Sequence, residues 1–187
     1  MHPLIEAAGR HGELPSWSCL SASRREHTES VAALIDEWNV ALGVPDAERV
    51  RRRGAATLHD ALKDAPPDDL RRLVPGDWPD ALLHAPAAAL RLSEEGVEDE
   101  EFLLAIRYHP VGHPEFGVLG EQLYMADYLD PGRDFGLEGR EALRARMPDA
   151  HHDVLIAIVR ARIMARLETD APVMATSIRF WNGLIEA

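Results

Sequence analysis

The residues whose types and spacing could support chemistry centre on one adjacent pair, His59 and Asp60. An imidazole nitrogen and a carboxylate oxygen from neighbouring residues can bind one metal ion, and the carboxylate can reach a second ion. A set of imidazoles and carboxylates without thiolates suits iron, manganese or zinc better than a structural zinc–thiolate centre. The candidate metal ligands are His27, His59, Asp60, His84, His109 and Asp127.

Hydrophobic spacing places several of these candidates on helical faces that should be buried. His27 lies four residues before Val31, Asp127 lies four residues after Leu123, and His109 ends a third apolar run. A carboxylate on a core-facing stripe is costly to bury unless it is paired or bound to metal. Taken alone, any one of these residues could have a structural role, with its hydrogen bonds satisfied within the protein. Their convergence on one His–Asp pair favours a metal site.

Two metal ions bridged by Asp60 and a water would generate hydroxide near neutral pH and clamp a phosphoryl group for in-line attack. A second pair, His152–Asp153, has no later histidine to complete a site, so we interpret it as structural or solvated. A carboxylate-bridged ferritin-like bundle uses Glu-x-x-His pairs. None of the nine histidines here has a glutamate three residues before it.

The elements that must position these residues all show helical periodicity, without a sustained period-two strand. A first apolar stripe ends at Gly43, and a second helix should run through about 46–62 with the His–Asp pair near its end. After Pro66-Pro67 we predict a short acidic helix with Leu70 and Leu73, and then a helical stretch over 79–95 interrupted near Pro86. A further helix ends at His109, a loop covers 110–117, and Leu119, Leu123 and Asp127 share a face of the next helix before the Pro131-Gly132 turn. The last two helices are predicted over about 150–169 and 174–186. The predicted fold is all-α, with about eight helices in one bundle.

The composition limits the classes of protein to which the chain can belong. The chain has 187 residues, 46% of them hydrophobic and 28% charged, as expected of one soluble globular domain. The net charge of −12 argues against nonspecific nucleic-acid binding, which requires neutralisation of phosphates. The apolar runs are too short to span a membrane, and the N-terminus lacks the pattern of a signal peptide. The single cysteine, Cys19, fits a reducing cytoplasm.

The order of the six candidate ligands resembles that of the HD-domain metal-dependent phosphohydrolases. The surrounding motifs are similar to those of the YqeK-type subfamily over about residues 20–182, and the run 126–135 is the most specific. The matching stretches are Arg24-Arg25-Glu26-His27-Thr28, Leu58-His59-Asp60-Ala61-Leu62-Lys63, Leu82-Leu83-His84-Ala85-Pro86, Ala105-Ile106-Arg107-Tyr108-His109 and Tyr124-Met125-Ala126-Asp127-Tyr128-Leu129-Asp130-Pro131-Gly132-Arg133-Asp134-Phe135. We assign residues 21–187 to the HD domain and leave 1–20 as an N-terminal arm or helix.

The resemblance implies symmetrical hydrolysis of diadenosine tetraphosphate, and of related dinucleoside polyphosphates, to two nucleoside diphosphates by a metal-bridging hydroxide. It implies two metal ions, iron in the first place, with manganese, magnesium or zinc as alternatives. One ion would be held by His27, His59, Asp60 and Asp127, and the second by Asp60, His84 and His109. Asp60, Lys63 and Arg133 would be catalytic, and Lys63 and Arg133 would also contact phosphate oxygens.

Less direct candidates concern the nucleoside. Tyr108, Phe116 or Tyr128 could stack on a base, although core packing explains them equally well. His113 could contact substrate from its loop, although a solvated loop histidine is the simpler interpretation. We expect a small-molecule dinucleotide as the partner, without nucleic acid or membrane, and a homodimer is left open.

The chain departs from the subfamily where two threonines usually follow the histidine at position 109, since Pro110 and Val111 stand there. Ala85 replaces a usual glycine, and Met174-Ala175 replaces a His-Pro pair. Two alternative functions therefore stay open. One is another HD chemistry, such as that of a nucleotidase or phosphodiesterase. The other is a nucleotide-binding regulatory protein with little turnover.

Overall fold

Helices account for all the regular secondary structure that the computed structural model describes, which covers residues 1–133 and 137–186. The all-α prediction is confirmed, with ten α-helices in these ranges where about eight were expected. Asp134 and Phe135, the last residues of the most specific motif, lie outside the described residues. No helix in the described ranges is long and apolar enough to cross a membrane.

The α-helices are numbered in chain order, and a short 3-10 helix at Asp80–Leu82 precedes the fifth. Two of them had no defined prediction: the first lies in the segment left as an arm or helix, and the eighth follows the Pro131-Gly132 turn. Their bounds are α1 Pro3–His11, α2 Ala22–Ala41, α3 Asp46–Leu58, α4 Pro67–Leu73, α5 His84–Glu94, α6 Glu100–Tyr108, α7 Val118–Leu129, α8 Leu137–Arg144, α9 His151–Glu168 and α10 Ala175–Glu186.

Two helix boundaries differ from the sequence prediction. Helix α3 ends at Leu58 and not near 62, because the backbone beyond it pairs with Cys19: Cys19 N donates to Ala61 O at 2.8 Å, and Asp64 N donates to Cys19 O at 3.1 Å. The break in the 79–95 stretch falls at residue 83 and not at Pro86. Pro86 is the third residue of α5, where a missing N–H removes no intrahelical hydrogen bond.

The core is built around α7, which contacts α2, α3, α6, α8 and α9. Helix α2 also packs on α3, α5 packs on α6, and α10 packs on α9. Fully buried side chains such as Ile35, Phe102, Leu123 and Leu155 fill the space between these helices. This arrangement brings the ends of five helices to one region of the molecule.

Helix α1 crosses α3 at very short distance because two glycines meet backbone there. A Cβ atom on Gly9 would lie 2.0 Å from Val50 O, and one on Gly54 would lie 2.7 Å from Ile5 O. Neither position can therefore accept a larger side chain without moving a helix. Helix α1 is in this way held against the element that precedes His59 and Asp60.

Candidate metal centre

Five of the six candidate ligands form two triads that share Asp60. In each triad, one nitrogen or oxygen atom from each of the three residues lies within 4.8 Å of the atoms from the other two. All five side chains are buried. The first triad consists of His27, His59 and Asp60, and the second of Asp60, His84 and His109.

The two oxygens of Asp60 face different histidines. Oδ1 lies 3.2 Å from His84 Nε2 and 3.4 Å from His109 Nε2. Oδ2 lies 3.7 Å from His59 Nε2, in the other triad. Ligands about 2.1 Å from a common ion are separated by roughly 3.0 to 3.4 Å at octahedral to tetrahedral angles. The two Oδ1 distances fall within this range and the Oδ2 distance is longer, so the carboxylate lies between two groups of histidines and could contribute one oxygen to each.

Buried polar atoms without hydrogen-bond partners show that the residues present fit metal ions. His27 Nε2, His59 Nε2 and Asp60 Oδ1 are buried, and none makes a hydrogen bond of acceptable geometry in the described chain. Leaving such atoms unsatisfied is costly, and native proteins rarely do it. A divalent cation in the first triad would accept electron pairs from the two histidine nitrogens, and one in the second triad would accept an electron pair from Asp60 Oδ1. The HD-type His/Asp clusters are thus compatible with divalent metal binding.

The other ring nitrogen of two histidines is fixed by the backbone. His59 Nδ1 lies 2.6 Å from Ala56 O, and His109 Nδ1 lies 2.8 Å from Ile106 O. A carbonyl oxygen only accepts, so each Nδ1 carries the proton and donates. Each Nε2 then has its lone pair directed toward the site, which is the tautomer that metal binding requires.

The ligands lie at helix ends, which also sets the local field. His59 and His109 cap the C-termini of α3 and α6, and Asp127 lies in the last turn of α7. His84 is the first residue of α5, and His27 lies in the second turn of α2. Unpaired carbonyls give a helix C-terminus a partial negative charge that favours cations. Three C-termini converge here.

Asp127 belongs to neither triad, although it lies next to the first. Its Oδ1 lies 3.2 Å from His27 Nε2. Both oxygens also accept from arginines: Arg133 Nη2 donates to Oδ1, and Arg162 Nη2 donates to Oδ2 at 2.8 Å. Burial favours the neutral acid, but His27 and the two arginines hold the pKa of Asp127 well below its usual range. Its role as a ligand stays a prediction.

Arg162 was missed by the sequence analysis, because nothing in the pattern of α9 marks it. Besides Asp127, it donates from Nη1 to Pro110 O at 3.1 Å, and its guanidinium lies 4.5 Å from the centre of the Tyr124 ring. The side chain joins α9 to α7 and to the residue that follows His109. An arginine thus lies directly beside the candidate metal ligands.

Asp130 was not among the predicted site residues, yet it contacts a candidate ligand. Its Oδ2 lies 2.6 Å from His27 Nδ1, and its Oδ1 accepts from Ser30 Oγ at 2.6 Å and from Gly132 N at 3.0 Å. Burial favours the neutral acid, but these donors stabilise the carboxylate and lower the pKa of Asp130 to about 2. It orients His27 as a second carboxylate behind a metal-binding histidine does. Its position three residues after Asp127 was the available signal.

The remaining predicted site residues lie around the triads. Lys63 Nζ is 3.2 Å from His84 Nε2, and burial lowers the pKa of this lysine. Arg133 also donates from Nε to Asp127 O at 3.0 Å. Tyr108 and His113 form an aromatic contact with ring centres 4.4 Å apart, and Trp78 lies 5.5 Å from Tyr108. The structure thus brings Lys63 and Arg133 to the ligands, and pairs Tyr108 with His113.

Asp60 carries the negative charge between the triads. Burial favours its neutral form, but the surrounding His59, His109 and His84 hold the pKa of Asp60 well below its usual range. Burial lowers the pKa of His59 to about 4, although Asp60 opposes this effect. At neutral pH the carboxylate is therefore ionised and the central imidazole is neutral. These are the protonation states of metal ligands.

Residues 24–132 match the HD domain family, so this chain belongs to that family. The match includes all six candidate ligands, and together with the relatives it makes the chain a hydrolase.

Two relatives carry the name bis(5'-nucleosyl)-tetraphosphatase, symmetrical. The proteins of Halalkalibacterium halodurans and Bacillus subtilis are each 29% identical to this chain over 175 residues, covering 89% of this chain and 91% of the relative. A crystal structure described as a predicted HD superfamily hydrolase involved in NAD metabolism, from Clostridium acetobutylicum, superposes with a TM-score of 0.78 at 23% identity. It covers 98% of this chain and 95% of its own, and it supports the fold.

Proposed function

We propose that this protein is a di-metal phosphohydrolase that cleaves diadenosine tetraphosphate, and related dinucleoside polyphosphates, symmetrically into two nucleoside diphosphates. The observation that carries the proposal is Asp60, whose two oxygens face two separate groups of histidines. The names of the Halalkalibacterium and Bacillus relatives support the choice of substrate. Iron is the first choice of metal, with manganese, magnesium or zinc as alternatives.

Two bound divalent ions supply Lewis acidity and lower the pKa of water in the site. The residues of the chain supply the remaining conditions for phosphoryl transfer. Asp60 balances part of the positive charge, and the three helix C-termini add to its field. Buried surroundings strengthen every charge interaction there, because water screens it less.

Lys63 and Arg133 would stabilise negative charge as it moves onto the phosphoryl oxygens and the leaving nucleotide. Lys63 offers a compact charge beside the second triad, and Arg133 offers a planar fork beside the first. A substrate phosphate would take over the donors that now contact His84 and Asp127. The Lys63 and Arg133 side chains therefore lie on either side of Asp60, as a polyphosphate that contacts both metal ions would require.

The test uses the purified protein loaded with iron or manganese and diadenosine tetraphosphate as substrate. ADP should be the only nucleotide released, and Asp60→Ala should abolish both the activity and tight metal binding. Asp153→Ala is the matched control, because Asp153 belongs to the exposed second His–Asp pair. Release of ATP together with AMP would contradict symmetrical cleavage.

A second test separates charge on the phosphates from metal binding. Lys63→Gln should keep the metal content and lower kcat by about 10²- to 10³-fold, as loss of one donor to a transition-state oxygen does. A panel of mononucleotides, cyclic dinucleotides and NAD⁺ distinguishes a nucleotidase or phosphodiesterase by its products. Nucleotide binding without turnover for any metal would instead favour a regulatory protein.

A further inference from the structure

Arg162 connects α9 to two chain segments that carry candidate metal ligands. Its Nη2 donates to Asp127 Oδ2 at 2.8 Å, and its Nη1 donates to Pro110 O at 3.1 Å. The guanidinium also lies 4.5 Å from the centre of the ring of Tyr124, three residues before Asp127 on α7. Pro110 directly follows His109. One side chain therefore contacts a candidate ligand beside the first triad and the residue after a ligand of the second.

Stability alone does not explain these contacts. A buried ion pair adds little to the free energy of unfolding compared with well-packed apolar side chains of the same volume. Arg162 Nε is also buried without a hydrogen-bond partner in the described chain, which adds a cost of desolvation. The arginine is better explained by what it does to Asp127.

The two oxygens of Asp127 are held by different partners. Oδ1 accepts from Arg133 and lies 3.2 Å from His27 Nε2, within the range of about 3.0 to 3.4 Å expected of two atoms that bind one ion. Oδ2 accepts from Arg162. In the described chain, both side-chain hydrogen bonds of Arg133 are with Asp127 itself, through Oδ1 and the main-chain oxygen. Arg133 can therefore move to a phosphate, whereas Arg162 is held by acceptors on two separate segments.

We propose that Arg162 is a positioning residue that makes Asp127 a one-oxygen ligand of the ion in the first triad. It retains Oδ2 and leaves Oδ1 to the ion once Arg133 has turned to the substrate. This inference rests on the proposed function, which supplies the ion and the phosphate, and adds to it the residue that sets how Asp127 binds. Without Arg162 the carboxylate can rotate, so metal binding must order it and becomes weaker.

The first measurement compares the metal affinity of Arg162 variants by competition for manganese against a chelator of known affinity. Arg162→Met keeps most of the side-chain volume and removes the donors, so it should weaken binding of one of the two ions by about 10- to 100-fold. Arg162→Lys keeps one donor for Oδ2 and should recover most of that loss. Equal affinities in wild type and Arg162→Met would overturn the proposal.

Arg166→Met is the matched control on the same helix. Arg166 is exposed, and its side chain donates to Pro172 O and to no candidate ligand in the described chain. Its metal affinity should equal that of wild type. Should Arg162→Met not fold, Arg162→Gln removes the charge with a shorter polar side chain and takes its place in the same comparison.

A double-mutant cycle tests whether Arg162 acts through Asp127. Asp127→Asn keeps the shape of the side chain and weakens it as a ligand. Adding Arg162→Met to Asp127→Asn should then change the metal affinity by no more than about twofold. A further 10- to 100-fold loss in that background would show that Arg162 acts elsewhere and would overturn the assignment. The melting temperature of the metal-free variants reports packing, which a purely structural arginine would change without changing the metal affinity.

The outcomes separate this inference from the function on which it rests. Weaker metal binding by Arg162→Met, together with a wild-type protein that hydrolyses no dinucleotide, supports the positioning role and refutes the function. Hydrolysis with equal metal affinity and equal kcat in wild type and Arg162→Met overturns the positioning role and leaves the function intact. A wild-type protein that binds neither manganese nor iron nor zinc refutes both.

Discussion

Asp130→Asn is the sharpest test of how the candidate centre is held together. The change keeps the shape of the side chain, removes its charge and replaces one acceptor oxygen by a donor. Asp130 accepts from Ser30 and Gly132 through Oδ1 and faces His27 Nδ1 through Oδ2. An asparagine has only one acceptor oxygen, so it cannot receive hydrogen bonds on both sides.

Two arrangements of the asparagine are open, and both carry a cost. With its oxygen toward Ser30 and Gly132, its amide donates to His27 Nδ1, and the ring proton moves to Nε2, where metal should bind. With its oxygen toward His27, the amide faces the Gly132 N–H, which cannot accept. Loss of a carboxylate behind a metal-binding histidine costs about 10- to 100-fold in affinity, or about 1.4 to 2.7 kcal/mol.

The assay is competition for manganese against a chelator of known affinity, with metal content checked after dialysis. Asp153→Asn is the matched control, because Asp153 is exposed and follows His152. Nitrogen NMR of the His27 ring reports which nitrogen carries the proton. Equal metal affinities for wild type, Asp130→Asn and Asp153→Asn would refute the reasoning, as would a proton on Nδ1 together with intact affinity.

Two further predictions concern the fold and pH. Gly9→Ala should lower the melting temperature, because its Cβ would lie 2.0 Å from Val50 O. Gly183→Ala in α10 is the control, because its Cβ would meet open space and the melting temperature should stay unchanged or rise. Equal changes in the melting temperature of the two variants would contradict the close crossing of α1 and α3. In the metal-free protein, burial opposes the charge on His27, but Asp127 and Asp130 raise its pKa to about 9. Protonated His27 therefore stabilises the folded, metal-free protein. This contribution is complete below about pH 6.5 and is lost as pH rises through about 9. Metal binding at pH 7 should therefore release a proton, measurable by calorimetry in buffers of different ionisation enthalpy.

Local patterns predicted most of the helices, and five of the candidate ligands that spacing singled out lie together in the structure. The apolar runs leading to His109 and Asp127 belong to α6 and α7, and Gly43 follows the end of α2 as expected. Gly43 takes a positive φ of 66°, which explains why a glycine closes that helix. The fold class followed from the same periodicity.

Contacts between distant segments could not be predicted in this way. Asp130 and His27 are 103 positions apart, and the contact of Arg162 with Asp127 depends on how α9 packs on α7. The end of α3 was predicted too late, since the pairing of Cys19 with residues 61–64 is not visible in either segment alone. In each case the deciding partner comes from another part of the chain.

The position of the candidate ligands at the ends of five helices has a consequence for the assembly of the protein. No single helix carries a complete triad: the first joins α2 to the two residues directly after α3, and the second joins Asp60 to the start of α5 and the end of α6. An ion bound in either assembled triad would crosslink the segments of that triad and stabilise the native state by mass action. A growing chain would gain the crosslink of the second triad only after α6 has emerged and packed. Loss of the ion would loosen the junctions between helices while leaving the helices themselves formed.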